Sequence, residues 1–261
     1  LVLDFPSVGA TENLLMAATL AEGKTVIENA AKEPEIDDLV DFLVAMGAKI
    51  EGRGTSILII EGTQELRTVE YEAIGDRIEA ATYIMAGLIT NSEIKVTGVT
   101  PSHLDSVLSI LGDMGANLKV EGQSISVFPS NLKAVKVETS PFPGFPTDVQ
   151  AQLMALMTKA EGTSIITENI FENRFMHVPE LRRLGAKIEL RGNVAIIEGR
   201  KSLYSAPVMC TDLRASAALV IAALSANGKT DIQRVYHLDR GYDHLDEKLS
   251  NIGADIQREN Q

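Results

Sequence analysis

The amino-acid sequence predicts an α/β (α+β) protein in which helices alternate with strands of mixed direction. Of its 261 residues, 45% are hydrophobic and 23% are charged, which is typical of a globular chain. A pattern of about seventy residues recurs along it, and within each repeat apolar helices alternate with β-branched strands. A solenoid is the other interpretation, but common solenoid repeats are much shorter. We therefore expect the repeats to group around a shared helical core.

Two separate sequence marks define the repeat. In the first, a hydrophobic residue is followed by Gly-Ala and then by a strand, and successive glycines are 68, 70 and 68 residues apart: Gly47, Gly115, Gly185 and Gly253. In the second, an apolar helix gives way to a small residue, with separations of 69, 70 and 66: Gly23, Ser92, Gly162 and Gly228. Two marks that share one period predict four repeats in the chain.

Each repeat begins with a helix so rich in apolar residues that we expect it to be buried, as in 9–20 and 149–159. We expect the Gly or Ser of the second mark to occupy the C′ position of this helix, where left-handed backbone is favoured. A β-branched strand follows, as in 24–29 and 163–167.

An amphipathic helix with an acidic start comes next, as in 35–46, and it ends at the Gly-Ala mark. Two short strands close the repeat, for example 49–51 and 56–61. With the strand that leads in, such as 135–138, the order is β-α-β-α-β-β.

Composition restricts the function classes. The formal net charge of −12 argues against a nucleic-acid surface, and it means that local arginines and helix N-termini must hold any anionic substrate. The single cysteine, Cys210, allows no internal disulfide, and we interpret it as a small buried residue. The sequence contains no signal peptide and no apolar run of roughly 18–20 residues, so we expect a cytoplasmic protein without a membrane anchor. The four histidines lack metal-site spacing, so no metal is predicted.

Polar side chains stand just before several of the apolar helices. Ser7, Asp148 and Asp212 are the main examples. One interpretation is N-capping, in which the side-chain oxygen accepts a backbone N–H. The other is that Asp148 or Asp212 lies at a cleft and accepts a proton or a hydroxyl. The two are compatible, and the 7–9 turn also offers N–H groups to a phosphate.

Three arginines follow strands or begin helices in successive repeats: Arg174, Arg214 and Arg240. They would then lie at related ends of the repeats and clamp a phosphate and a carboxylate through bidentate bonds. The alternative is that each pairs with a nearby acid, namely Glu172, Asp212 or Asp239. The spacing does not choose between these.

Six motifs together resemble those of the UDP-N-acetylglucosamine 1-carboxyvinyltransferases, and the resemblance covers essentially the whole chain. They are SVGAT (7–11), ENAAKEPEI (28–36), FPTDVQAQ (145–152), FENRFMH (171–177), TDLRAS (211–216) and DRGY (239–242). The related 5-enolpyruvylshikimate-3-phosphate synthases share the fold but not these strings.

The resemblance implies two inside-out α/β barrels, each of three repeats, hinged around a cleft. Residues 1–74 would be the last repeat of a loop-bearing domain, and residues 75–261 would be the three repeats of the other domain. The chain begins at Leu1, inside a strand-like run, and we expect it to be a fragment. In this family a mobile loop with a catalytic cysteine and a Lys-Asn pair lie upstream, and Cys210 does not match that cysteine.

The resemblance also implies an activity without a cofactor. Enolpyruvyl is transferred from phosphoenolpyruvate to the 3-hydroxyl of UDP-N-acetylglucosamine, with release of phosphate, in the first committed step of peptidoglycan synthesis. Asp148 would be the base, Asp212 would assist proton movement, and Arg240 would act at phosphoenolpyruvate. We expect the fragment alone to be inactive for want of its N-terminal part. The alternative is a non-catalytic UDP-sugar-binding or regulatory module.

Binding residues follow from the same resemblance. Ser7, Val8 and Gly9 would bind the pyrophosphate, and Ile170 and Phe171 would lie near the sugar nucleotide. Arg174 would join Arg240 at phosphoenolpyruvate, with Arg214 as a weaker candidate. Some family members have a lysine before the 7–9 turn where this chain has Phe5, so no lysine contact with phosphate is implied there.

Overall fold

The computed structural model describes residues 1–259, which form two compact units. Unit 1 is Leu1–Gly75 with the short segment Pro141–Gly144, and unit 2 comprises the rest. The segment 141–144, which we placed in the range 75–261, packs in unit 1, where the Phe142 N–H donates to Glu33 Oε1 at 3.4 Å. The assignment of the units to two domains of a longer enzyme stays a prediction.

Unit 1 is one three-stranded antiparallel sheet with two helices. Its elements are α1 Val8–Thr19, β1 Lys24–Glu28, α2 Pro34–Ala45, β2 Lys49–Glu51 and β3 Ile57–Glu61. The sheet order is β1-β3-β2. Alternate strand residues such as Leu58 and Ile60 point into a core that also holds Leu15 of α1. Proline in the first turn of α2 and acidic residues after it favour a helix start there.

Unit 2 continues the alternation of helix and strand. Its elements are α3 Arg77–Ile89, β4 Ile94–Thr97, a 3₁₀ turn Pro101–Leu104, α4 Asp105–Asp113, β5 Asn117–Glu121, β6 Ser124–Phe128, β7 Lys136–Glu138, α5 Thr147–Met157, β8 Thr163–Thr167, α6 Val178–Arg183, β9 Lys187–Arg191, β10 Val194–Glu198, β11 Leu203–Tyr204, β12 Val208–Met209, α7 Leu213–Leu224, β13 Ala226–Asn227, β14 Ile232–Gln233, a 3₁₀ turn Val235–His237 and α8 Leu245–Asn251.

The strands of unit 2 form four small sheets. Their orders are β4-β6-β5, β7-β8-β10-β9, β11-β13 and β12-β14. Pairing is antiparallel except that β7-β8 and the two-stranded sheets are parallel, so the mixed direction is confirmed. The sheets do not join edge to edge, and residues 1–259 form no closed barrel, which corrects the predicted one.

The three long helices α3, α5 and α7 pack against one another at the centre of unit 2. Every residue of α5 from Val149 to Met157 is buried, because neighbours surround the helix on all sides. Helix α1, the corresponding helix of unit 1, is different. It buries four residues and leaves Met16 exposed within the described chain.

The Gly-Ala marks share one structural role. At each of them the alanine N–H donates to the carbonyl five residues earlier, in the Schellman geometry that ends a helix. The bonds are Ala48 to Leu43 at 3.0 Å, Ala116 to Leu111 at 2.9 Å, Ala186 to Leu181 at 3.1 Å and Ala254 to Leu249 at 3.1 Å. The preceding glycines have φ between +87° and +108°, which explains why glycine stands there.

The second mark does not have the predicted geometry. Helix α1 ends at Thr19, so Gly23 lies beyond its C′ position, and the same holds for Gly162 and Gly228. Gly23 and Gly162 are left-handed directly before the next strand instead, and Gly228 is left-handed directly after β13. After α3 the left-handed residue is Asn91 rather than Ser92. The chain takes an extra turn between helix and strand, and a period alone cannot reveal that turn.

The last repeat also departs from the predicted order. Its strands β11 to β14 have two residues each, and residues 254–259 form no strand after α8. Across residues 1–259, no helix combines the length and hydropathy required to cross a membrane.

Candidate functional site

Asp148 is the second residue of α5 and lies in the first turn of this helix, at its N-terminal end. The helix begins at Thr147 with Pro146 as its N-cap residue, so Asp148 does not cap it. Its Oδ1 instead accepts hydrogen bonds from Arg174 Nη2 at 2.8 Å and from Arg214 Nε at 3.1 Å. The capping interpretation is therefore wrong for Asp148.

The two arginines reach Asp148 from different parts of unit 2. Arg174 lies between β8 and α6, and Arg214 lies in the first turn of α7. Their side chains are 13% and 19% exposed, whereas that of Asp148 is 43% exposed. The alternative in which each arginine pairs with its own neighbouring acid does not hold for Arg174 and Arg214, because both share the Asp148 carboxylate. Arg174 also lies over the ring of Phe171, 4.8 Å from its centre.

The charge of Asp148 follows from this arrangement. Burial by itself raises the pKa of the Asp148 carboxyl, but Arg214 and Arg174 outweigh burial, and the pKa lies below its ordinary value. Its second oxygen, Oδ2, makes no hydrogen bond within residues 1–259. The site thus presents an ionised carboxylate with one oxygen held by guanidinium groups and one available to a hydroxyl.

A buried polar network lies behind Asp148. Gln152, one turn further along α5, donates through Nε2 to the Asp148 carbonyl at 2.9 Å. The same Nε2 is 3.2 Å from Tyr242 Oη, and Tyr242 Oη is 2.8 Å from Thr82 Oγ1 on α3. Tyr242 also lies beside the positively charged Arg214 side chain, and burial raises the pKa of the phenol, which stays protonated. The network links α3, α5 and α7 to the site.

We assigned no role to Tyr242, Gln152 or Thr82 from the sequence. A signal was present, because a polar side chain within a helix that is apolar all round must find a buried partner. Gln152 and Thr82 are of this kind. The partner of each comes from a distant repeat, which the sequence does not show.

Asp212 is the N-cap residue of α7. Its Oδ1 accepts from the backbone N–H groups of Arg214 and Ala215, both at 2.9 Å. The capping interpretation is confirmed here and at Ser7, whose Oγ accepts from the Ala10 N–H at 3.3 Å. The role of Asp212 in proton movement stays a prediction.

His177 lies close to Asp212 and to Arg174, in the interior of unit 2. It is 1% exposed, and its Nε2 has no partner within residues 1–259. Burial lowers the pKa of His177 to about 4, so the ring is neutral at physiological pH. The nearby Cys210 is also buried, as predicted, and burial raises the pKa of its thiol.

Arg240 stands apart from this cluster. It is exposed, after the Val235–His237 turn, and within residues 1–259 it forms no hydrogen bond or ion pair. Its predicted partner Asp239 is instead held by Arg258 at 2.7 and 2.9 Å. Arg240 is thus a free cation on unit 2 in the part of the chain that the structure describes.

The other predicted binding residues occupy two places. Ser7, Val8 and Gly9 form the N-terminus of α1 in unit 1, and a Cβ on Gly9 would meet no atom within 4 Å. Ile170 and Phe171 follow β8 in unit 2, with Ile170 half-buried and Phe171 exposed. Within residues 1–259, no group of three or more His, Cys, Asp or Glu side chains has the geometry of a metal site.

Residues 1–249 match the family model described as EPSP synthase (3-phosphoshikimate 1-carboxyvinyltransferase). The chain belongs to the EPSP synthase family. Relatives in this family include the UDP-N-acetylglucosamine 1-carboxyvinyltransferases of Nitratidesulfovibrio vulgaris strain DP4, 55% identical over 258 residues, and of Thermodesulfovibrio yellowstonii, 57% identical over 257 residues. Each match covers 98% of this chain and 62% of the relative. The chain thus spans about three-fifths of these EPSP synthase family relatives.

Solved structures of the EPSP synthase family have the same fold. The enolpyruvyl transferase NikO from Streptomyces tendae superposes with a TM-score of 0.88 at 30% identity, over 97% of this chain and 61% of that one. EPSP synthase from Acinetobacter baumannii superposes with a TM-score of 0.77 at 20% identity, over 100% of this chain and 63% of that one, which shows the fold alone.

Proposed function

We propose that this chain carries the aspartate-and-arginine part of an enolpyruvyl transferase. The enzyme would move the enolpyruvyl group of phosphoenolpyruvate to the 3-hydroxyl of UDP-N-acetylglucosamine and release phosphate. The observation that carries the proposal is the Asp148 carboxylate, held on one oxygen by two largely buried arginines and open on the other. The names of the relatives support UDP-N-acetylglucosamine and the transferred carboxyvinyl group, and phosphoenolpyruvate as the donor is proposed from the resemblance of the motifs.

The arrangement suits both substrates. Arg174 and Arg214 present guanidinium groups, which bind phosphates and carboxylates better than lysine because their donors form a planar fork. An arriving phosphoenolpyruvate would compete with Asp148 for these donors. A carboxylate that loses its cationic partners becomes more basic, which prepares Asp148 to accept the proton of the sugar 3-hydroxyl.

The remaining roles are also part of the proposal. Asp212 assists proton movement, and the free Arg240 binds the phosphate or carboxylate of phosphoenolpyruvate. Ile170 and Phe171 contact the sugar nucleotide, with Phe171 as an exposed aromatic surface for it. The N–H groups of the 7–9 turn at the start of α1 bind the pyrophosphate.

The architecture and setting complete the proposal. Residues 1–74 form the last repeat of one domain, and residues 75–261, apart from the segment 141–144, form the three repeats of the other, in an inside-out arrangement with helices at the centre. The exposed side chains of Met16 in α1 and of Leu20, the residue after this helix, are covered by the upstream part of the enzyme. The reaction takes place in the cytoplasm, as the first committed step of peptidoglycan synthesis.

Phosphate release and calorimetry test the proposal. The 261-residue chain should release no phosphate from the two substrates, since the upstream loop and Lys-Asn pair are proposed to be required. It should bind UDP-N-acetylglucosamine, and the full-length protein should turn over. Binding without turnover by the full-length protein would instead indicate the non-catalytic sugar-nucleotide module.

The base role of Asp148 has its own test. In the full-length enzyme, Asp148→Asn should lower kcat by about 100-fold or more, because a positioned base contributes at least this much. Sugar-nucleotide affinity should change little, and Glu93→Gln, an exposed carboxylate between α3 and β4, should change neither. An effect confined to KM would argue against Asp148 as the base.

A further inference from the structure

Glu168 is a buried carboxylate immediately after β8. It is 4% exposed, and no lysine, arginine or histidine pairs with it within residues 1–259. A buried carboxylate without a cation is stable only if several donors replace its lost hydration. The identity of those donors indicates what the residue does.

Four hydrogen bonds converge on this carboxylate. Oε1 accepts from Thr139 Oγ1 at 2.8 Å and from the backbone N–H groups of Ile170 and Phe171 at 2.9 and 3.0 Å. Oε2 accepts from Thr147 Oγ1 at 3.0 Å. The donors come from the residue after β7, from the loop that follows β8, and from the first residue of α5.

Through these hydrogen bonds Glu168 is connected to both partners of the ion pair between Asp148 and Arg174. Thr147 directly precedes Asp148, so its bond to Glu168 fixes the start of α5 that bears the carboxylate. On the other side, Glu168 fixes the backbone of Phe171, and the ring of Phe171 lies against Arg174. Arg174 then reaches Asp148.

We infer that Glu168 is a positioning residue that sets the distance between the Asp148 end of α5 and the loop carrying Ile170, Phe171 and Arg174. The inference rests on the proposed function, since it identifies this loop as the binding surface for the sugar nucleotide. A hydrophobic residue at 168 would fill the space but leave two N–H groups and two hydroxyls without an acceptor. A glutamine would keep only a neutral amide oxygen for the two N–H groups and would turn its NH₂ group towards the Thr147 hydroxyl, so the charge of the acceptor would be lost.

The first test measures the loop directly. In Glu168→Gln of the 261-residue chain, amide exchange at Ile170 and Phe171 should accelerate by about tenfold or more, because both lose a charge-assisted acceptor. The exchange of Ile125, in a separate sheet of unit 2, should stay unchanged. Glu172→Gln, an exposed carboxylate in the same loop, is the matched control and should alter none of these rates.

The second test measures ligand binding. Glu168→Gln should weaken UDP-N-acetylglucosamine binding by about tenfold or more in calorimetry, because a loop that is no longer fixed must be ordered on binding. Thr147→Val removes one donor and should weaken binding in the same direction, while Thr147→Ser, which keeps the hydroxyl, should restore it. The threonine variants also decide the matter if Glu168→Gln does not fold.

The outcomes separate the two ideas. A lower Tm in Glu168→Gln with wild-type exchange at Ile170 and Phe171 and wild-type affinity would overturn the positioning role. Equal affinities for Thr147→Val and Thr147→Ser would also overturn it. If the wild-type chain does not bind UDP-N-acetylglucosamine at all, the proposed function fails, and local exchange alone then decides the role of Glu168.

Discussion

The buried His177 should make the stability of unit 2 depend on pH in a calculable way. In the folded chain its pKa is lowered to about 4 by burial, against 6.5 for a solvated histidine. Below pH 6.5 the unfolded chain therefore binds a proton that the folded chain rejects. The free energy of unfolding is therefore undiminished by this group above pH 6.5, decreases as pH falls below 6.5, and stops decreasing below about pH 4. The loss across this window is about 3 kcal/mol, at 1.36 kcal/mol for each pKa unit.

His177→Asn isolates this effect. Asparagine is a smaller polar side chain that can donate and accept hydrogen bonds as the neutral ring does, but it does not titrate. Urea unfolding of the wild type and the variant at pH 7.5, 6, 5 and 4 should be followed by NMR methyl signals of Ile197 and Val220, both buried in unit 2. The free-energy difference between the two proteins should shift by about 3 kcal/mol towards the variant over this range.

The control is His244→Asn, an exposed histidine with left-handed backbone, a conformation that asparagine tolerates. Its pH profile should follow that of the wild type. If the His177→Asn profile also runs parallel to the wild type between pH 6.5 and 4, then His177 does not titrate as a buried neutral group. The reasoning from its burial would then be wrong.

Two further comparisons of variants test packing within unit 2. Gly199→Ala should lower the free energy of unfolding by about 3 kcal/mol or more, because the new Cβ would lie 1.6 Å from the Ala160 carbonyl oxygen. Gly112→Ala, in α4 with no atom within 4 Å of the new Cβ, should instead raise it by up to about 1 kcal/mol. The urea midpoints of the two variants measure the difference. Tyr242→Phe should cost about 1–3 kcal/mol, because it removes a hydroxyl bonded to α3 and α5, and Tyr204→Phe, an exposed tyrosine, should cost less than about 0.5 kcal/mol in the same assay.

The fold was predictable where the sequence signal is local. The Gly-Ala marks predicted four helix ends because left-handed backbone after a helix selects glycine, and Gly115 and Gly185 have that conformation. The position of Gly162 relative to its helix was wrong, because a turn intervenes. The predicted barrel required edge pairing between sheets, which depends on the lengths of strands such as β11 and β13 rather than on a period.

The site was predictable as a set of residues but not as a geometry. Asp148, Arg174 and Arg214 were all singled out, yet the structure joins them through one shared oxygen. They are 26 and 66 residues apart in sequence, so that contact depends on how α5 and α7 pack. The capping potential of an aspartate is similar at Asp148 and Asp212, and only the tertiary neighbours decide which one caps.

The complete enclosure of α5 has a consequence for how the sequence can change. A helix with a solvent face can accumulate substitutions there at little cost, but the nine residues from 149 to 157 have no such face. Every replacement must fit neighbours on all sides. It must also preserve the orientation of the helix about its own axis, because that orientation directs Asp148 towards its arginines. In a saturation-mutagenesis library this segment should therefore tolerate far fewer substitutions than helix α4, which has exposed positions. Substitutions in this fold should accumulate on the outer helices rather than on the central one.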